Sequence, residues 1–242
     1  MKKVFLVALA ALVSLSLCAQ SFSITEENYS GTEEQQEDTG MWHSDSAFGW
    51  GYHMMLDGDA DFLDNTTTFG KNREIFFTLL GVEFRPVKFA GLSVAADLNW
   101  DAYRLDKKHY WQPADGAVSV ASLDDDNCKY QEIKKSVLRS FGFDFPVQLK
   151  IHLGDLCIAG GIVGELNFPG RTKFKAVTND GGSFKNGDMR VKDIKSIPFT
   201  YSYRASITYS HLGLYGKYSP CSQFAPGYGP QFSYWTVGLI LW

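Results

Sequence analysis

From Ala47 to Trp242 apolar and polar residues alternate with a period of two over eight separate stretches, the spacing that sends successive side chains to opposite faces of a strand. The pattern predicts strands at Ala47–Leu56, Glu74–Pro86, Leu92–Leu105, Val137–Ile151, Leu156–Phe168, Phe199–Tyr209, Leu212–Ser219 and Phe232–Trp242. The third sets Leu92, Val94, Ala96, Leu98, Trp100 and Ala102 against Ser93, Ala95, Asp97, Asn99, Asp101 and Tyr103. The fourth sets Phe141, Phe143, Phe145, Val147, Leu149 and Ile151 against a side that includes Ser140, Asp144, Gln148 and Lys150. The sixth repeats it, with Phe199, Tyr201, Tyr203, Ala205, Ile207 and Tyr209 opposite Thr200, Ser202, Arg204, Ser206 and Thr208. Pro146 breaks the fourth, since it has no amide to donate, and it predicts a bulge or an irregular stretch.

The connections alternate too. They are short after strands two, four and six (Val87–Gly91, His152–Asp155, Ser210–His211) and long after one, three, five and seven. This is an up-and-down meander with tight turns at one end and extended loops at the other. Turn-forming Asn179-Asp-Gly-Gly182 in the third long loop predicts a hairpin that extends the barrel outward. The last strand carries Phe232, Tyr234, Thr236, Gly238, Ile240 and Trp242 on one side and Trp235, Val237, Leu239 and Leu241 on the other. An open edge so rich in aromatics invites aggregation, and pairing the last strand with the first removes it. The second set, Trp235 to Leu241, is assigned to the interior, where it would form a dry floor at the end with the tight turns.

Alternation alone does not say which face points inward. A soluble barrel of lipocalin type, binding an apolar ligand in the periplasm, would bury the apolar faces. The loop alternation, the aromatic terminal strand and aromatics near strand ends (Phe48, Trp50, Phe76, Phe84, Trp100, Phe168, Phe199, Tyr209) favour lipid outside. The predicted fold is therefore all-β: an eight-stranded antiparallel up-and-down transmembrane β-barrel with long extracellular loops and short periplasmic turns, spanning 47–242.

At the other end, Met1-Lys2-Lys3 and the apolar run Val4 to Leu17 read as a secretory signal over residues 1–19, cleaved after Ala19. Leu15-Ser16-Leu17-Cys18 departs from a lipoprotein box at the bulky Leu17, which argues against lipidation of Cys18. Residues 20–46 are acidic, with no Lys or Arg, and read as a disordered arm. With 18 Phe, 12 Tyr and 6 Trp, the chain is rich in aromatics, yet after the signal it has no apolar run of roughly 20 residues that could form a spanning helix. A net charge of −4 and the lack of a basic face exclude a nucleic-acid partner. Beyond the signal three cysteines remain; Cys128 and Cys221 fall in outward loops, where a disulfide is permitted but not dictated, and Cys157 reads as a small core residue.

If the apolar faces meet lipid, the opposite faces supply a lumen network of Glu83, Arg85, Asp97, Asp101, Asp144, Lys150, Glu165, Arg204 and Lys217, with His53 on the first strand. Nearly balanced charge suits a polar plug that satisfies itself, and eight strands leave room for little more than side chains. A narrow channel and a lipid-modifying enzyme are the alternatives. No Gly-x-Ser-x-Gly elbow accompanies the histidines, so no catalytic residue is assigned, and no cofactor or metal is expected. Asp57, Asp59, Asp61 and Asp64 alternate like cation ligands, but Phe62 and Thr68 stand where a calcium loop needs Gly and Glu. The third long loop is basic, with Arg171, Lys173, Lys175, Lys185, Arg190, Lys192 and Lys195, a charge suited to phosphates at the cell surface.

Taken together, the signal, the meander and the terminal aromatic strand resemble the small eight-stranded outer-membrane barrels of the OmpA/OmpX type within the porin-like superfamily. The resemblance covers Ala47 to Trp242 at the level of architecture and brings no catalytic or binding motif. It implies a monomer in the outer membrane of a Gram-negative cell, in contact with outer-membrane lipid and lipopolysaccharide. It also implies recognition of the terminal strand, through Tyr234, Gly238, Ile240 and Trp242, by the barrel-assembly machinery. Such barrels serve different ends, so the role expected here is an envelope or interaction protein, not an enzyme.

Overall fold

The structure, a computed structural model, describes residues 41–58, 72–114, 117–124, 128–189 and 195–242. The signal, most of the acidic arm and most of the Asp57–Asp64 run lie outside these, as do Arg190 and Lys192. The strands are β1 (Trp42–Ser44), β2 (Phe48–Gly58), β3 (Arg73–Val87), β4 (Ala90–Arg104), β5 (His109–Ala114), β6 (Ala117–Ser122), β7 (Tyr130–Leu153), β8 (Leu156–Thr178), β9 (Ser183–Met189), β10 (Phe199–Tyr209), β11 (Leu212–Ser219) and β12 (Phe232–Leu241).

Eight of them close a ring in the order β2-β3-β4-β7-β8-β10-β11-β12, every pair antiparallel. The seam joins β12 to β2, from Leu241 opposite Phe48 up to Phe232 opposite Gly58. No ring strand has a free edge along this seam, which is how an up-and-down barrel avoids edge-to-edge association. Tight turns follow β3, β7 and β10 at one end, with Gly154 at φ +64° and Ser210 at φ +56°.

The exposed large side chains form one outer belt that includes Leu149, Ile162, Leu214 and Val237, bounded by Phe89 and Tyr209 below and by Trp100, Phe168 and Tyr201 above. From Phe141 to Ile151, at about 3.3 Å per residue and a tilt of about 40°, the wall rises about 25 Å, the height of the apolar band of a membrane barrel. The interior is polar: Asp97 and Ser202 are fully buried while Leu149 is 68% exposed. A lipocalin-like barrel would show the reverse, so that reading is overturned. The molecule is a transmembrane β-barrel.

Several boundaries and faces differ from the sequence reading. The wall begins at Trp42, ahead of Ala47: β1 pairs with β3 through Trp42 opposite Phe84, and Asp45 N–H donates to Gly81 O at 3.0 Å. The Trp42 and Phe84 rings also pack, at 4.9 Å, which a reading of the arm by charge alone misses. A bulge in β3 between Thr78 and Leu80 flips the face, so Phe76 points inward with Glu74 rather than into lipid. Strands β7 and β8 run on as a long ribbon beyond Val137 and Phe168, because a register shift at Pro169-Gly170 hides the continuing alternation. β9 then folds back on β8 after the turn at Asn179–Gly182, forming the expected hairpin.

Pro146 carries no bulge. The β4–β7 register is the same on both sides of it, and the ladder simply skips Ala95 and Ala96. The last strand is inverted relative to expectation: Trp235, Val237, Leu239 and Leu241 face lipid, whereas Phe232, Tyr234, Thr236 and Ile240 are buried inside. Aliphatic residues suit hydrocarbon, while Tyr234 and Thr236 carry hydroxyls suited to the polar interior. A small apolar floor does exist, formed by Phe76, Ile240, Ala47 and Trp242.

Candidate functional site: the filled lumen

The interior is stacked in layers, each placed by the inward positions of neighbouring strands. Lowest, Lys150 from β7 bonds Asp45 at 2.8 Å, lies 3.5 Å from Glu83 and sits 3.3 Å over the Trp242 ring. Ser93 also donates to Asp45. Glu83 gathers Arg85 at 3.0 Å and His152 at 2.7 Å. Above this, Arg204 from β10 pairs with Asp97 at 3.0 Å and stacks over Phe76, while Thr78 donates to the same carboxylate at 2.7 Å.

The middle layer is built around Lys217 from β11. Its ammonium bonds Glu74 and lies 3.2 Å from Glu165 and 3.5 Å from Asp144. One cation against three carboxylates leaves surplus negative charge, and neutral donors take it up. Tyr215 donates to Glu74 at 3.0 Å, Thr200 and Ser202 each to Glu165 at 2.7 Å, and Asn99 to Asp144 at 3.2 Å. Such a buried network is tolerable only because these donors satisfy the lone pairs the ions leave over.

Higher still, His53 from β2 bonds Asp101 at 3.1 Å through Nε2 and Thr236 Oγ1 at 2.8 Å through Nδ1. A hydroxyl, an imidazole and a carboxylate in sequence have the connectivity of a nucleophilic triad. Here the array is walled in: Thr236 is 0% exposed, Tyr103 stacks on His53 and Tyr234 meets its edge. No substrate can reach Thr236 Oγ1 without dismantling that packing. The array holds three strands together.

The mouth is capped. Trp111 and Val118 of the β5–β6 hairpin and Phe224 of the β11–β12 loop pack on Tyr103, Leu138, Phe232 and Tyr234 of the wall. Trp111 Nε1 donates to Tyr103 O at 3.2 Å, and Gln223 donates to Tyr103 Oη at 2.9 Å. Among the described residues, these two loops are thus bonded to the barrel over its interior.

All ten sequence-predicted lumen residues point inward, with Arg85 half-buried near the floor. They fall into a floor group around Lys150 and Glu83 and a larger group above it, in which Arg204 lies opposite Lys217, Asp97 lies opposite Asp144, and Asn99 donates to Glu74, Asp144 and Asp101. Sequence reasoning missed Glu74, Asp45 and the partner role of Tyr215. The first was hidden by the β3 bulge and the second by the early start of the wall; Tyr215 had a signal in its alternation with Lys217. His152 lies in β7 rather than in a turn. Of the four residues assigned to assembly, Tyr234 and Ile240 face the interior; Trp242 places its ring against the buried Lys150 ammonium and donates its backbone N–H to His211 O at 3.0 Å. Cys128, Cys157 and Cys221 are free thiols, so the permitted disulfide is not formed.

No protein-family model and no curated protein matches the sequence. Among solved structures, the chain is similar to Ail, the attachment invasion locus protein of Yersinia pestis. In its complex with the heparin analogue sucrose octasulfate, identity is 9% and TM-score 0.36, covering 82% of this chain and 96% of that one. Ail without that ligand gives 10% and 0.35 at the same coverage. LpxR from Salmonella typhimurium gives 9% and 0.27, covering 83% of this chain and 86% of that one. The fold assignment rests on this chain's own closed ring and lipid-facing belt. The architecture is an eight-stranded antiparallel up-and-down transmembrane barrel.

Proposed function

We propose that this chain is an integral outer-membrane protein whose barrel is a sealed, non-catalytic anchor, carrying surface loops for envelope structure or interaction. The observation that carries this reading is the closure of the lumen at three levels: the Lys150 floor, the Lys217 layer and the Trp111–Phe224 cap. A channel needs a continuous polar path, and a hydrolase needs an accessible nucleophile; the packing around Thr236 speaks against the second. In this reading the barrel acts as a monomer, outer-membrane lipid and lipopolysaccharide surround its wall, and the assembly machinery engages β12 and Trp242.

Fractionation combined with gel mobility tests it. The protein should stay with outer-membrane fragments through alkaline and salt washes and should migrate faster before boiling than after. Release by washing, with no mobility shift, would exclude membrane insertion.

A further inference from the structure

The outer wall changes character just above the upper aromatic girdle. One step above Phe141 opposite Phe168, Arg139 lies opposite Arg171, and further up Lys135 lies opposite Lys175. Between these, Val137 stands between Lys173 on β8 and Arg104 on β4. Residues paired directly across a ladder share a face, so these six bases line the outside of one three-stranded panel. Val137, on that same outer face, is 2% exposed, consistent with the aliphatic stems of the neighbouring bases lying over it.

Within β4, β7 and β8 no acid interrupts the panel. The acidic residues nearest by register are Asp188, on the β9 segment that passes opposite Lys173, and Glu132, opposite Val177 above, and among the described residues no ion pair joins any of the six to a carboxylate. Partial burial, followed by the like charges of Arg104, Arg139, Lys173 and Lys175, pushes the Lys135 ammonium below its ordinary value. So many cations held together by rigid strands repel one another. That arrangement is costly unless an anion joins it.

Position decides which anion. The panel faces outward from the wall and begins where the apolar belt ends, about 5 Å in height above Phe141 at a strand tilt of about 40°. That is headgroup depth, continuous with a surface already covered by acyl chains. We propose that Arg104, Lys135, Arg139, Arg171, Lys173 and Lys175 form a binding panel for the phosphates of an outer-leaflet phosphorylated glycolipid seated against the barrel. Arginine presents paired N–H donors suited to a phosphate, and lysine adds point charge. The inference rests on the membrane placement above and gives the surrounding lipid a specific seat.

The test uses the full chain folded in detergent, with bisphosphorylated lipid A as probe and native mass spectrometry to count bound lipid. Wild-type protein should retain lipid A and should lose it when the lipid is enzymatically dephosphorylated. At about fivefold per base removed, R139Q/R171Q/K173Q should weaken retention on the order of a hundredfold. R139K/R171K/K173R, which keeps the charges, should restore most of it. Equal retention of phosphorylated and dephosphorylated lipid, or indifference to the Gln variants, overturns the proposal. Full competition by millimolar inorganic phosphate also overturns it, because a small-anion site would then suffice. The heat-dependent mobility shift is scored on every variant. A variant that shifts normally but ignores phosphate sinks the panel alone, whereas loss of the shift in wild-type protein sinks the membrane reading.

Discussion

Lys217 holds the middle of the barrel together, since Glu74, Asp144 and Glu165 converge on its ammonium inside a sealed wall. Removing one partner of a buried ionic group leaves the others uncompensated, at a cost of about 3–5 kcal/mol. Lys217→Met should therefore lower stability by that order in urea unfolding of the detergent-folded barrel, and Glu74→Gln in the same chain should recover part of the loss. Gly238 has a different part to play. It faces Gly51 across the seam, and a Cβ there would meet Trp50 O and the ring of Tyr215, which lies over both glycines. Gly238→Val should cost about 1–3 kcal/mol through overpacking and should displace the Tyr215 hydroxyl from Glu74. Unchanged unfolding midpoints for either variant would contradict these roles.

At the scale of elements, β12 closes the ring by pairing with both β11 and β2. Trp242, just past its end, covers Lys150 and is tied to His211. Deleting Trp242 should lower the heat-shifting fraction in cells several-fold while changing the stability of refolded protein by only about 2 kcal/mol, the scale of one desolvated cation–π contact. Equal losses in both measurements would assign Trp242 to stability rather than assembly. The strand registers also show where reading a sequence by period goes wrong. Phe199–Tyr209 and Leu212–Ser219 were legible to the residue because both strands alternate without interruption. Glu74 and the upper ribbon of β8 were not, because each lies beyond a bulge that turns the alternation over.

Among the described residues, the interior of the cylinder is filled at three heights. Excising the β5–β6 hairpin removes Trp111 and Val118 from the cap but leaves the Lys217 and Lys150 layers in place. Planar-bilayer recordings should show no conductance from the wild-type chain and none from that deletion. Steady single-channel currents from the intact chain would show that the network is permeable, and the anchor reading would fall.

What the sequence determined by itself is the wall. A period of two, eight times repeated with alternating short and long connections, leaves few arrangements other than a closed meander, and polar residues on one face supply its contents. Tertiary structure decided three things that periodicity cannot carry. The direction each face of β12 takes depends on the two strands it joins, so Trp235 and Leu239 went to lipid. Bulges placed Glu74 beside Lys217. Closure chose the partners of the ten lumen residues, because which ions meet depends on strand stagger around the ring, a relation between distant segments that no local pattern encodes.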